Sequence, residues 1–295
     1  MRLSIVIAAW NGAVSLRSCL TSLVPQVEGA DTEIIVASNF TSEGIEDLVR
    51  AVSFLYFTSL PSVTTVPELR TRAIERARGD VIAILEDHCT VDESWATEIR
   101  KAHELPYSIV GGSVENVSGS SPLNWAVYFY DYGPYMLPDV PRVVRSLTGL
   151  NLSYKRAVLE ELKEWHRNGF YETSINEELQ RRGYQLYLMP SAIVYHNKEY
   201  RLKKSIGETY HHGRLFAALR VSAASLHERA YRAATSLLLP ILLPARIALR
   251  TFRKNNHVKE LIAAFPYLLL LMSVWSYGEF CGYVWREGTS ARKWK

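Results

Sequence analysis

Hydrophobic positions along this chain follow two regimes. Up to about residue 220, short β-branched apolar runs alternate with stretches in which apolar residues recur every three or four positions; beyond residue 227 the apolar residues become almost continuous. The runs at 3 to 9, 33 to 37 and 81 to 85 read as buried strands. Leu16, Leu20 and Leu23, and later Leu69, Ala73, Ile74 and Ala77, mark helices between them. Strands alternating with helices predict parallel βαβ units, whose ligands gather at the carboxyl ends of the strands. Trp10 and Asn11, Ser38 and Asn39, and Glu86, Asp87 and His88 would then meet in one cleft.

Another strand is predicted over 108 to 114, followed by a dense aromatic block, WAVYFYDYGPYMLP, at 125 to 138. Residues 139 to 148 read as a loop, Gly149 as a turn and 151 to 154 as a strand or bulge. Helices over 157 to 164 and 174 to 182, a turn at Gly183 and a strand over 185 to 195, interrupted by Pro190, complete this part. No internal repeat is visible. The segments 237 to 249 and 261 to 284 come near the roughly 20 apolar residues that a spanning helix needs, but Pro240, Pro244, Arg246 and Glu279 interrupt them. Each could cross a bilayer, lie in its interface or form a soluble hairpin.

Composition supports a large folded body. With 295 residues, 48% hydrophobic and 22% charged, the chain can bury a substantial core and is neither disordered nor fibrous. Cys19, Cys89 and Cys281 are few, far apart and odd in number, as in a reducing compartment, and offer no cysteine-held zinc site. The opening MRLSIVIAAWNG has an apolar run too short for a secretory signal, so no export is expected.

Charge divides the chain more sharply than its net +4 implies. Residues 228 to 295 carry eleven Lys/Arg against four acids, a balance of +7 that leaves residues 1 to 227 at −3. A basic, apolar tail on an acidic body points to an anionic membrane surface and away from nucleic acid. If both apolar segments crossed, the basic stretch 246 to 259 would lie outside, against the preference of Lys/Arg for the cytoplasmic side. The expectation is therefore two helices embedded in the cytoplasmic leaflet, peripheral or monotopic, with the basic loop and tail on the head groups.

The triplet Glu86-Asp87-His88 ends an aliphatic strand with three hard or borderline ligands, a pattern suited to a metal ion and the phosphates it neutralises. The plainer alternative is that such acids, with Asp92 and Glu93, merely cap the following helix.

Four stretches in order, SIVIAAWNG, RTRAIERARGDVIAILEDHCTVDESW, GLNLSYKRAVLEEL and YETSINEELQRRGYQLYLMPSAIVYH, resemble family 2 glycosyltransferases of membrane-associated bacterial type over roughly residues 3 to 220. The resemblance implies an α/β GT-A fold over 1 to 226, with a nucleotide-sugar half (1 to 112) and an acceptor half (113 to 226). A membrane-associated helical hairpin and basic tail would occupy 227 to 295. It further implies a nucleotide-diphosphate sugar donor, a divalent cation (Mn2+ or Mg2+) and inversion at the anomeric carbon. Residue by residue, Ala8, Trp10, Asn11 and Ser38 would line the nucleotide pocket, and Arg70 would lie near the diphosphate or ribose. Glu86, Asp87 and His88 stand where the family has Asp-x-Asp, with Glu86 and His88 on the metal. Gly149 and Asn151 match a Gly-x-Asn turn beside the donor sugar, and Arg214 a residue contacting the diphosphate; His196, His211 and His212 share that region. Glu172 falls at the position of the catalytic base, which would deprotonate the hydroxyl of a glycan or lipid-linked acceptor.

The chain also departs from the family. Ala37-Ser38-Asn39-Phe40 lacks the acid that normally ends the second strand. His88 replaces the last acid of Asp-x-Asp, and imidazole suits manganese better than magnesium. Trp125, Tyr128 and Tyr132 read either as core packing or as a stacking surface for the acceptor. These departures keep open a catalytically silent carbohydrate-binding or scaffold protein on the same fold. A nucleotidyltransferase would need a phosphate loop that WNGAVSL does not provide.

Overall fold

The computed structural model describes residues 1–27, 31–119, 121–221 and 224–290. The chain divides into two compact units, one formed by residues 1–117 and 135–197, the other by 118–134 and 198–295. Residue 226, where the sequence places a domain boundary, opens a helix inside the second unit.

The first unit starts as the apolar pattern predicts: β1 (Leu3–Ala9), α1 (Ala13–Val27), β2 (Thr32–Ser38), α2 (Glu46–Ala51), β3 (Leu55–Ser59), α3 (Val66–Arg76) and β4 (Val81–Glu86). β1 and β2 are buried at every position, as expected of parallel strands covered on both faces. β3, absent from the expectation, is an edge strand whose one fully buried residue is Leu55. Then come β5 (Cys89–Val91), α4 (Trp95–Glu104) and β6 (Ile109–Asn116), before the chain enters the second unit with α5 (Pro122–Asp131). On its return it forms β7 (Arg142–Val144), β8 (Asn151–Lys155), α6 (Arg156–Glu160), α7 (Lys163–His166), α8 (Glu172–Arg181) and β9 (Leu186–His196). The expected loop 139 to 148 thus contains a short edge strand. The single helix expected over 157 to 164 is two, broken at Glu161 and Leu162.

Among the described residues the nine strands form one sheet, ordered β3-β2-β1-β4-β8-β6-β9-β5, with β7 also on β9. β1, β2, β3 and β4 are parallel, and their register aligns Ala8 with Glu86, Ala9 with Ser38 and Ser38 with Ser59. Their carboxyl ends therefore form one edge. Antiparallel β8 sets Asn151 opposite Leu85, bringing Gly149 back to that edge. Pro190 is accommodated because the β6–β9 register shifts between Gly112 and Ser113, where no ladder bond needs its missing N–H.

The second unit adds α9 (Leu202–Arg220), α10 (Leu226–Ser236), α11 (Leu239–Lys254) and α12 (Val258–Trp285) to α5. α12 packs against each of the other four. Asn255 and His257 take left-handed backbone (φ 49° and 56°) to turn the chain between α11 and α12. α12 is long and apolar enough to cross a membrane, with mean hydropathy 1.6 over its apolar window. α11 alone is not. Arg292, Lys293 and Lys295 of the basic tail lie outside the described residues.

Candidate active site

The sheet's carboxyl edge gathers most of the residues singled out in the sequence. Glu86 ends β4 and Glu172 opens α8, a helix end that attracts negative charge. Arg70 of α3 joins them: Nη2 donates to Glu86 Oε1 at 2.5 Å and Nη1 to Glu172 Oε2 at 2.6 Å. Its side chain is only 5% exposed, against 18% for Glu86 and 28% for Glu172, so the acids and not the arginine face the solvent. Burial works against the Arg70 charge, but Glu172 and Glu86 more than offset it and hold the guanidinium above its ordinary pKa. Glu172 Oε1 has no hydrogen-bond partner among the described residues. Gly149 closes the group, since a Cβ there would stand 2.8 Å from Glu172 Cδ and 2.9 Å from Arg70 Nη2.

The three residues of the strand-end triplet have three different surroundings. Asp87 is fully buried and accepts from Trp10 N (2.9 Å), Asn11 N (2.7 Å) and Asn11 Nδ2 (2.6 Å), so it fixes the turn after β1. His88 is buried, with Nδ1 3.5 Å from Glu86 Oε2 and 3.3 Å from Asn11 Nδ2. Its Nε2 lacks a partner among the described residues, and its ring stands edge-on to His196 at 5.0 Å. His196 arrives there because β5 pairs Cys89 with it, a short strand that the sequence pattern does not reveal.

Several other expected positions are engaged in the scaffold. Asn151 is fully buried; its Nδ2 donates to Ser113 O (2.9 Å) and Ala192 O (2.8 Å), and its Oδ1 accepts from Trp95 Nε1 (3.0 Å). Its amide thereby satisfies carbonyls flanking the β6–β9 register shift. Ala8 is buried in β1, and Ser38 caps its own turn by accepting from Phe40 N at 3.0 Å. In the second unit, Trp125 and Tyr128 are buried among Phe129 and His257, whereas Tyr132 is half-buried. Arg214, also in that unit, donates from Nε to Arg286 O at 2.9 Å and from Nη1 to Tyr210 Oη at 3.2 Å. His211 Nδ1 lies 3.0 Å from Ser290 Oγ.

A divalent cation can be tested against these atoms. Glu86 Oε2 and His88 Nδ1 are 3.5 Å apart, close to the roughly 3 Å between neighbouring ligands of an octahedral ion at about 2.1 Å. Among the described residues no group of three or more His, Cys, Asp or Glu surrounds a common metal position. Glu86 and His88 alone would supply two ligands, and an ion there would need phosphate oxygens and water to complete its shell.

Residues 4–163 match the family model described as Glycosyl transferase family 2. No curated protein sequence matches the chain significantly. Among solved structures, the mannosyltransferase PcManGT from Pyrobaculum calidifontis, in complex with GDP-Man and Mn2+, is similar with a TM-score of 0.58 at 16% identity, over 96% of this chain and 87% of its own. GalNAc-T7 with UDP, GalNAc and Mn2+ is similar with a TM-score of 0.54 at 14% identity, over 68% of this chain and 44% of its own. At such identities the likeness speaks for the fold alone. The family match covers more than half of the chain, and with it this protein belongs to glycosyl transferase family 2, as a glycosyltransferase built on the GT-A fold.

Proposed function

We propose that the chain transfers a sugar, with inversion, from a nucleotide-diphosphate donor to a glycan or lipid-linked acceptor at the cytoplasmic face of a membrane. One observation carries the reading: a single buried arginine binds both the strand-end acid Glu86 and the helix-end acid Glu172. The position suited to a diphosphate and its cation is thereby tied to a carboxylate able to take a proton. Inverting displacement needs one such base, because the acceptor hydroxyl attacks the anomeric carbon directly. With Oε2 engaged by Arg70, Oε1 is the atom of Glu172 that accepts the hydroxyl proton.

Glu86 and His88 are the residues that would hold a divalent cation, which supplies charge stabilisation to the departing diphosphate. The ligands of the similar structures, GDP-Man, UDP and Mn2+, support this donor and cation class. Trp10 and Asn11, fixed by Asp87, form the turn on which the base would rest. Within the second unit, Arg214 carries a positive charge of the kind that suits a phosphate, and Tyr132 a half-buried ring of the kind that suits a sugar. The domain reading places the catalytic body in residues 1 to 226 and membrane attachment in 227 to 295. Apolar residues exposed on α11 and α12 support a membrane-borne acceptor.

The test is Glu172→Gln assayed for transfer and for donor binding. Transfer should fall by about 10³-fold or more, while affinity for the nucleotide-sugar stays near that of the parent. Product anomers read by NMR should be inverted. Retained turnover removes Glu172 from the mechanism, and retention of configuration removes direct displacement.

A further inference from the structure

The second unit contains a cavity of about 230 Å3 at the amino end of α9, lined in part by Lys198, Glu199, Arg201, Lys204, Ser205 and Glu208. Three independent features of its wall favour an anion. First, α9 is 19 residues long, has no acid in its first turn, and begins at Arg201 without a side-chain cap. The N–H groups of a first turn have no partner inside the helix, and the helix dipole adds partial positive charge there. Second, Lys198, Arg201 and Lys204 converge on the cavity, whereas its two acids are engaged: Glu199 Oε2 accepts from Asn124 Nδ2 at 3.0 Å, and Glu208 Oε1 lies 3.6 Å from Lys204 Nζ. Lys198 also faces Asp131, so the anion-facing side consists of Arg201, the helix end and Lys204, whose charge Glu208 offsets in part at 3.6 Å.

The third feature is Ser205. It lines the cavity, is only 3% exposed, and its Oγ has no hydrogen-bond partner among the described residues. A buried hydroxyl left unpaired is destabilising, and within a helix Ser commonly avoids that cost by bonding the carbonyl four residues back. Ser205 does neither. A phosphate oxygen in the cavity would accept from it, as well as from the helix end and the two cations.

We infer that this cavity binds the phosphate or diphosphate group of a lipid-borne molecule through Ser205, Arg201, Lys204 and the amino end of α9. The anion site stands on the cavity alone; its assignment to the acceptor rests on the lipid-linked reading above. The shared chemistry is a phosphate on an apolar chain, which a prenyl diphosphate and an anionic phospholipid both offer.

Calorimetric titration of the full chain with geranyl diphosphate, inorganic phosphate and phosphatidic acid vesicles, beside UDP and GDP, tests the site. Geranyl diphosphate should bind, the double variant Arg201→Gln/Lys204→Gln should weaken it by about tenfold or more, and Ser205→Ala should weaken it by about fivefold. UDP and GDP affinities should stay within about twofold in both variants, and circular dichroism should match the parent. A variant-sensitive response to vesicles identifies a phospholipid head group as the source, and one confined to geranyl diphosphate identifies a prenyl diphosphate. If no phosphate probe binds, if the variants bind as the parent does, or if UDP and GDP affinity falls in parallel, the inference is overturned. Because binding is read without sugar transfer, failure here is distinguishable from failure of the Glu172 mechanism.

Discussion

Gly149 shows how closely the residues of the candidate site depend on one backbone atom. Its Cα approaches the Arg70–Glu172 pair so nearly that an added methyl would meet Glu172 Cδ at 2.8 Å and Arg70 Nη2 at 2.9 Å. Gly149→Ala should therefore push the carboxylate off its arginine while barely altering the sheet. We expect a loss in kcat of about 10²-fold, the scale of a misplacement of about 1 Å, with Tm within a few degrees of the parent. A similar loss of Tm and of activity together would make the glycine structural. The motifs singled out Gly149, Glu172 and Arg70, but not that the three would touch one another. Asp87 was legible only as part of a triplet, because nothing in the run Glu86-Asp87-His88 reveals that its middle carboxylate turns inward onto the N–H groups of residues 10 and 11. A second residue, away from the site, contributes to the acid stability. Burial, then the charge of Lys155, pushes His103 down to about 4, with its Nε2 2.8 Å from Ser153 Oγ. Folded His103 stays neutral where the unfolded residue charges, so its contribution is complete above pH 6.5 and is lost as pH falls from there to 4. The loss is about 3 kcal/mol by pH 4. His103→Gln should flatten that limb, seen as a smaller drop in urea midpoint between pH 7 and 4.5.

Helix pairing in the second unit turns on glycines that the apolar pattern does not distinguish. α9 and α12 lie so close that a Cβ on Gly213 would stand 2.5 Å from Trp275 O, while one on Gly278 or Gly282 would strike Tyr210 O or Arg214 O. Gly207, on the same helix, has open space beside it. Gly207→Ala should then raise stability by about 0.5–1 kcal/mol by helix propensity, whereas Gly278→Ala should lower it by about 1–3 kcal/mol or more through overpacking. Urea unfolding of the two variants checks this, and equal signs would refute the close crossing. The same limit explains what the sequence reading of elements did and did not find. β1, β2 and β4 were legible because central parallel strands are apolar throughout. β3, β5 and β7 were not, being edge strands of three to five residues whose existence depends on partners far away in the chain. Asn151 belongs with them: its role follows from a register shift between β6 and β9, and no local pattern announces a long-range bulge.

For the molecule as a whole, the distribution of polar groups along α12 bears on whether it would span a bilayer or lie in its surface. Its carboxyl half is held by polar groups: Glu279 accepts from Trp275 Nε1 at 2.6 Å and Tyr283 Oη at 2.9 Å, and Arg229 donates to Tyr283 O and Val284 O at 3.0 and 2.9 Å. A hydrocarbon core opposes such a belt of charge. The amino half and α11 present the opposite surface, with Ile241 71%, Leu242 55%, Phe252 53% and Ile262 64% exposed. Arg246, Arg253 and Lys259 are exposed beside them. Apolar side chains flanked by cations suit a helix pair sunk into the head-group region, where each cation adds about 1 kcal/mol on an anionic leaflet. Vesicles containing phosphatidylglycerol should therefore float the protein, and neutral vesicles should float much less of it. Ile241→Glu with Phe252→Glu should abolish flotation and leave the circular dichroism spectrum unchanged, since neither side chain is buried in the second unit. A cysteine placed at Asn255, in the turn between α11 and α12, discriminates further. In sealed inverted membranes that expose the cytoplasmic face, a surface attachment leaves it open to an impermeant maleimide. In intact cells the same reagent should not reach it, and labelling there would mean that the chain crosses before Asn255, through α10 and α11; outside labelling of a cysteine added at the carboxyl terminus, with Asn255 still shielded, would mean that α12 alone crosses.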